Sequence, residues 1–178
     1  MSDATIRRPR AAALAAALAL LLTGCAPPWH HSSASHPKAG HFLPGAAGST
    51  SHAAKVGEPI EFELPIDPPE KGTVVLDHVT FPGGVPDGLK VSGLHAYSRI
   101  PTGGGYVVIT AEDKRKVHFE PLPFKGLALS RTSSYFETVE VVAQRPGHYV
   151  LPSVDVVYRV GSTWYHQRQD WTFDIPAS

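Results

Sequence analysis

Thr163-Trp164-Tyr165-His166-Gln167-Arg168-Gln169-Asp170-Trp171-Thr172-Phe173-Asp174-Ile175 changes character from one residue to the next. Tyr165, Trp171, Phe173 and Ile175 fall on one side, and His166, Arg168, Asp170 and Asp174 on the other. Successive side chains of an extended chain point to opposite faces, so the stretch reads as a strand with one face on a core and one in water. Gly161-Ser162 just before it suits a tight hairpin turn, because glycine reaches positive φ without a steric penalty. The run 149–160, interrupted at Pro152, is the returning partner, and 135–143 is a further strand before the break at Arg145-Pro146-Gly147.

The same period appears upstream. Ile60, Phe62, Leu64 and Ile66 alternate with Glu61, Glu63, Pro65 and Asp67. That predicts a half-buried strand with Glu61 and Glu63 in water. Pro65 lacks a ladder donor, so the strand lies at a sheet edge or ends there. Residues 73–81, rich in Val and Leu, predict a strand buried on both faces. Residues 89–97 form another, with Gly93 marking a bulge or a close approach. Residues 106–111 make a fourth strand, 112–116 a charged turn, and 118–130 one short strand plus a crossing segment. About seven or eight strands with turns every 8–12 residues or so, and no helical period after residue 24, predict an all-β antiparallel β-sandwich over residues 55–178.

Pro146-Gly147-His148-Tyr149 resembles the tyrosine corner of immunoglobulin-like and fibronectin-type domains. The resemblance implies an immunoglobulin-like sandwich in which the Tyr149 phenol bonds back to the turn. The chain's single cysteine means that the Cys…Trp…Cys hallmark is missing, which leaves the subtype open.

The first 54 residues read differently. Arg7, Arg8 and Arg10 precede 11–22, which contain only Ala and Leu. This run is too short to span a bilayer, which needs roughly 20 apolar residues, and it fits the apolar part of a secretory signal. Leu22-Thr23-Gly24-Cys25 follows, and it resembles the lipobox of bacterial lipoproteins at all four positions. The resemblance implies cleavage between Gly24 and Cys25, a diacylglycerol on the Cys25 thiol, and residence on the extracytoplasmic face of the cell membrane. The Arg7-Arg8 pair leaves the export route, Sec or twin-arginine, open. Residues 25–54, rich in Pro, Ser, Ala, Gly and His, predict a disordered tether.

Lys and Arg total 16 against 16 Asp and Glu, so no basic face for nucleic acid is expected. With Cys25 lipidated no thiol remains for a disulfide, and packing must hold the fold. No nucleophile–base pair, zinc-protease motif or phosphate loop can be read. Gly103-Gly104-Gly105 lacks the Lys-Ser/Thr and helix of a phosphate cradle and reads as a hairpin loop. The protein is therefore expected not to be an enzyme and to need no cofactor.

Two binding readings follow. Trp164, His166 and Arg168 on the last hairpin form an interaction patch of the kind that anchors interfaces. A tethered binding or assembly module would meet an envelope protein or polymer there, through end loops, or along the 60–66 edge. Alternatively His30, His31, His36 and His41, with His52 nearby, could collect Zn²⁺ or Cu²⁺ on the tether, since imidazole is the commonest transition-metal ligand. The domain histidines His78, His95, His118, His148 and His166 lie apart in sequence, and only folding could bring any of them together.

Overall fold

The computed structural model describes residues 36–98, 108–116 and 120–178. The signal run, Cys25, His30, His31, Gly103-Gly104-Gly105 and His118 lie outside the described residues. In chain order the strands are β1 (Lys38–Ala39), β2 (Ala47–Ser51), β3 (Pro59–Glu63), β4 (Thr73–Thr80), β5 (Leu89–Ser98) and β6 (Val108–Thr110). Helix α1 (Ala111–Lys116) comes next, then β7 (Leu122–Pro123), β8 (Ala128–Ser130) and β9 (Tyr135–Ala143). The last three are β10 (Gly147–Leu151), β11 (Val154–Val160) and β12 (Thr163–Ala177). Among the described residues no helix is long and apolar enough to cross a membrane.

The fold is all-β, in two sheets. The first runs β1-β12-β11-β4-β8, with β10 and β2 also on β12; the second runs β6-β3-β9-β5-β7. Both feed one core. Leu76, Leu129, Val156 and Phe173 come from the first sheet and Phe62, Val139 and Val141 from the second. The Phe62 and Phe173 rings meet at 5.5 Å. Fully burying side chains of this size stabilises by about 1.5–3 kcal/mol each. The alternation expected along β12 is present: Gln169, Trp171, Phe173 and Ile175 are buried, while Trp164, His166, Arg168 and Asp170 are exposed.

Several expectations are corrected. The second strand is buried on one face only, through Val74 and Leu76. Of the two outcomes expected from Pro65, an edge strand or a strand end, the second holds: β3 stops at Glu63 and lies between β6 and β9. The segment expected as a charged turn is α1, closed by a reciprocal cap. The Asp113 carboxylate accepts from the Thr110 N–H at 2.9 Å and the Thr110 hydroxyl at 2.7 Å, and the Asp113 N–H donates back to Thr110 Oγ1 at 3.2 Å. Those bonds hold the Asp113 carboxyl below its ordinary value.

The largest correction concerns residues 36–54, expected as part of the disordered tether. They run beside β12 as a strap, parallel to it, so the sheet is not wholly antiparallel. Composition misleads here because the strap has almost no core of its own and borrows polar partners from β12. Between β1 and β2 the chain leaves the ladder, and two glutamine side chains replace it. Gln167 Oε1 accepts from the Leu43 N–H at 3.2 Å, and its amide donates to the Leu43 carbonyl at 2.6 Å. Gln169, fully buried, does the same for the Ala46 N–H at 2.7 Å and the Pro44 carbonyl at 3.1 Å. Small residues let the strap lie close. A Cβ on Gly40 would collide with the Tyr158 hydroxyl, and one on Gly48 would press into the Trp171 ring.

Candidate functional site

Where the strap bows away from β12, an open groove of about 660 Å³ forms. Gly40, His41 and Gly45 line it from the strap, and Asp155, His166 and Arg168 line it from β11 and β12. Register sets the far wall, because Arg168 stands directly opposite Asp155 across the hairpin. The guanidinium grips that carboxylate in a two-pronged bond, Nε to Oδ1 at 2.9 Å and Nη2 to Oδ2 at 3.1 Å. Such a fork fixes the orientation of Arg168 on an otherwise exposed surface. His41 stacks on Phe42 with ring centroids 4.6 Å apart. Phe42 in turn packs edge-on against Tyr165 at 5.0 Å, which backs the His41 ring from behind the groove wall. Trp164 is exposed on the same face of β12 as His166 and Arg168. The three residues read as an interaction patch thus share one surface, and a strap histidine joins them.

A second polar assembly lies on the outer face of the other sheet. Glu61, expected in water, is fully buried, and Glu63 is buried too. The cause is cover that no local pattern reveals: Tyr97, Ile109 and Phe136 form a small second core on that face. Glu61 stands directly opposite Glu140 in the β3–β9 ladder. Two carboxylates so placed repel each other. The Lys114 ammonium, from α1, bonds to both: to Glu140 Oε2 at 2.8 Å and to Glu61 Oε1 in a shorter contact. The Tyr97 hydroxyl donates to Glu61 at 3.0 Å, the Thr138 hydroxyl donates to its other oxygen, and the Ser92 hydroxyl donates to Glu140 at 2.7 Å.

The titration of these groups follows from that geometry. Burial, then the Glu61 carboxylate, push the Tyr97 phenol far above its ordinary value. Burial alone would lower the Lys114 ammonium, but its bonds to Glu140 and Glu61 outweigh this and raise it. Burial would raise the Glu140 carboxyl, but Lys114 and Ser92 overcome it and hold the group low.

His95 completes the assembly. Its Nδ1 is buried, has no hydrogen-bond partner among the described residues, and lies 3.3 Å from Glu61 Oε1. The bulge expected at Gly93 is there, between Val91 and Gly93, and a Cβ on Gly93 would sit 2.9 Å from the imidazole. Of the tether histidines, His36 and His41 are exposed, and among the described residues neither joins a group of three ligand atoms. The group that does come together is Glu61, His95 and Glu140, with ligand atoms all within 4.8 Å of one another. Of these three, sequence reasoning named His95 as one of five scattered histidines, took Glu61 for an exposed acid and gave Glu140 no role.

No family model matches the chain, and no curated protein matches it. Among solved structures it is similar to the Vibrio cholerae VesB protease, at a TM-score of 0.39 and 11% identity. That alignment covers 76% of this chain and 32% of the protease. A likeness at this level carries no argument about fold or activity.

Proposed function

We propose that this protein is a lipid-anchored extracytoplasmic lipoprotein whose β-domain is a non-catalytic binding or assembly module of the bacterial cell envelope. The observation that carries the reading is Leu22-Thr23-Gly24-Cys25 at the end of an uncharged Ala/Leu run. A diacylglycerol on Cys25 brings two acyl chains, at about 0.8 kcal/mol per buried CH₂, and two chains hold stably where one is marginal.

Binding is assigned to the groove beside Trp164, His166 and Arg168, which combines an exposed aromatic, a braced guanidinium and two imidazoles. The 60–66 edge drops out of the reading, because β3 lies between β6 and β9. The finer fold reading is immunoglobulin-like. In its support, the Tyr149 hydroxyl donates to the Arg145 carbonyl at 2.8 Å, the bond that a tyrosine corner makes across its turn.

Fractionation tests the anchor: Cys25→Ser should move the protein from membranes to the soluble extracytoplasmic fraction. Crosslinking from intact membranes tests the groove. Trp164→Ala combined with Arg168→Ala should abolish partner adducts that the unaltered chain forms, and adducts that persist unchanged would exclude this surface.

A further inference from the structure

The fold has built a place for a cation and filled it with a lysine. Glu61 and Glu140 face each other across β3 and β9, and the Lys114 ammonium sits against one oxygen of each. Beside them the His95 Nδ1 is buried 3.3 Å from Glu61 Oε1, with no hydrogen bond to it among the described residues. The three ligand atoms lie within 4.8 Å of one another, and small shifts would close them on one ion. Their backbone is ladder-paired, so the donors rest on rigid strands rather than loops. Lys114 is held differently. It projects from a six-residue helix that buries none of its side chains, and its own side chain is 31% exposed.

We propose that Glu61, His95 and Glu140 form a binding site for one divalent transition-metal ion such as Zn²⁺, which enters by displacing the Lys114 ammonium. Two carboxylate oxygens and one imidazole nitrogen make the three-ligand set that zinc accepts while keeping a fourth position open. The imidazole disfavours Mg²⁺ and Ca²⁺, which prefer oxygen alone. The exchange breaks no covalent bond, and it neutralises the two carboxylates fully where the single ammonium does so by half. A dication replaces a monocation, Lys114 swings into water still protonated, and His95 would ligate through Nδ1 with its ring proton carried on Nε2. Tyr97 and Thr138 already donate to Glu61 and would orient that carboxylate as outer partners of the metal. The site is separate from the strap histidines and does not rest on the groove or on lipidation.

The test is calorimetric titration of ZnCl₂ into the detergent-solubilised mature chain with His30, His31, His36, His41 and His52 changed to Gln, which removes tether binding. One ion per chain is expected. His95→Ala and Glu140→Gln should each weaken it at least tenfold, and Lys114→Met should tighten it at least tenfold by removing the competing cation. Zn²⁺ should also raise the thermal midpoint of Lys114→Met more than that of the parent. If Lys114→Met does not fold, the His95→Ala and Glu140→Gln comparison decides alone. No binding by the parent, or binding that His95→Ala and Glu140→Gln leave unchanged, overturns the site. So does Mg²⁺ binding as tightly as Zn²⁺.

Discussion

On the edge of β12 the strap's stray backbone groups are met by the neutral amides of Gln167 and Gln169. On the outer face of the second sheet, a carboxylate in the middle of a strand is met by an ammonium, a phenol and a hydroxyl. Both arrangements satisfy polar groups taken out of water, and both draw their partners from far along the chain. They fail in different ways. A strap that loses an amide can lift off and be solvated by water. Glu61, sealed under its own small core, cannot, and a buried charge deprived of its counterion must destabilise the whole fold.

The largest effect should therefore come from Lys114→Met. We expect a loss of about 3 kcal/mol in global stability by urea denaturation, since breaking a buried pair strands the remaining charge. Next is Gln169→Leu, which orphans the Ala46 N–H and the Pro44 carbonyl at about 2 kcal/mol. Here hydrogen exchange sharpens the contrast. The amides of Gly40, His52 and Ala54, bonded to β12 carbonyls, should exchange far faster, with the second sheet unchanged. Equal loss of protection in both sheets would erase the distinction between local and global failure. Gly48→Ala should cost about 1 kcal/mol or more by pressing a methyl group into Trp171, and should open the same strap amides.

The smallest effect is in the pH profile, where the two ionic partners act at opposite ends. Glu140 is held below its ordinary value of 4.5, so its contribution is complete above that pH and is lost as pH falls through the lower folded value. Lys114 is held above 10.5, so its contribution is complete below that pH and disappears as pH rises through the higher folded value. Glu140→Gln should flatten the acid limb of stability against pH. Gln169→Leu should leave the shape of that limb untouched.

What the sequence discloses follows from how far each cause acts along the chain. Period-two alternation is local, so β9 and β12, the break at Pro152 and the bulge at Gly93 can all be read from it. That Trp164, His166 and Arg168 share a face was legible for the same reason, because they are alternate residues of one strand. The cap of α1 was also available in Thr110-Ala111-Glu112-Asp113, a reciprocal capping spacing that a reading of charge alone passes over. The strap was not legible. Its Ala, Gly and Ser residues are chosen for thinness against Tyr158 and Trp171, and thinness looks like disorder when those rings are 118 and 123 positions away. Glu61 was misread because its alternation with Ile60 and Phe62 is that of an exposed acid. The groups that cover it, Tyr97 and Thr138, lie 36 and 77 residues on.

The proposal that gives both regions their setting concerns the bond at Cys25. Intact-mass analysis of the N-terminal peptide from membrane-extracted protein examines it directly. The account predicts a chain beginning at Cys25, heavier than its amino-acid mass by a diacylglyceryl group. An unmodified thiol, or a mature end elsewhere than Cys25, would contradict it.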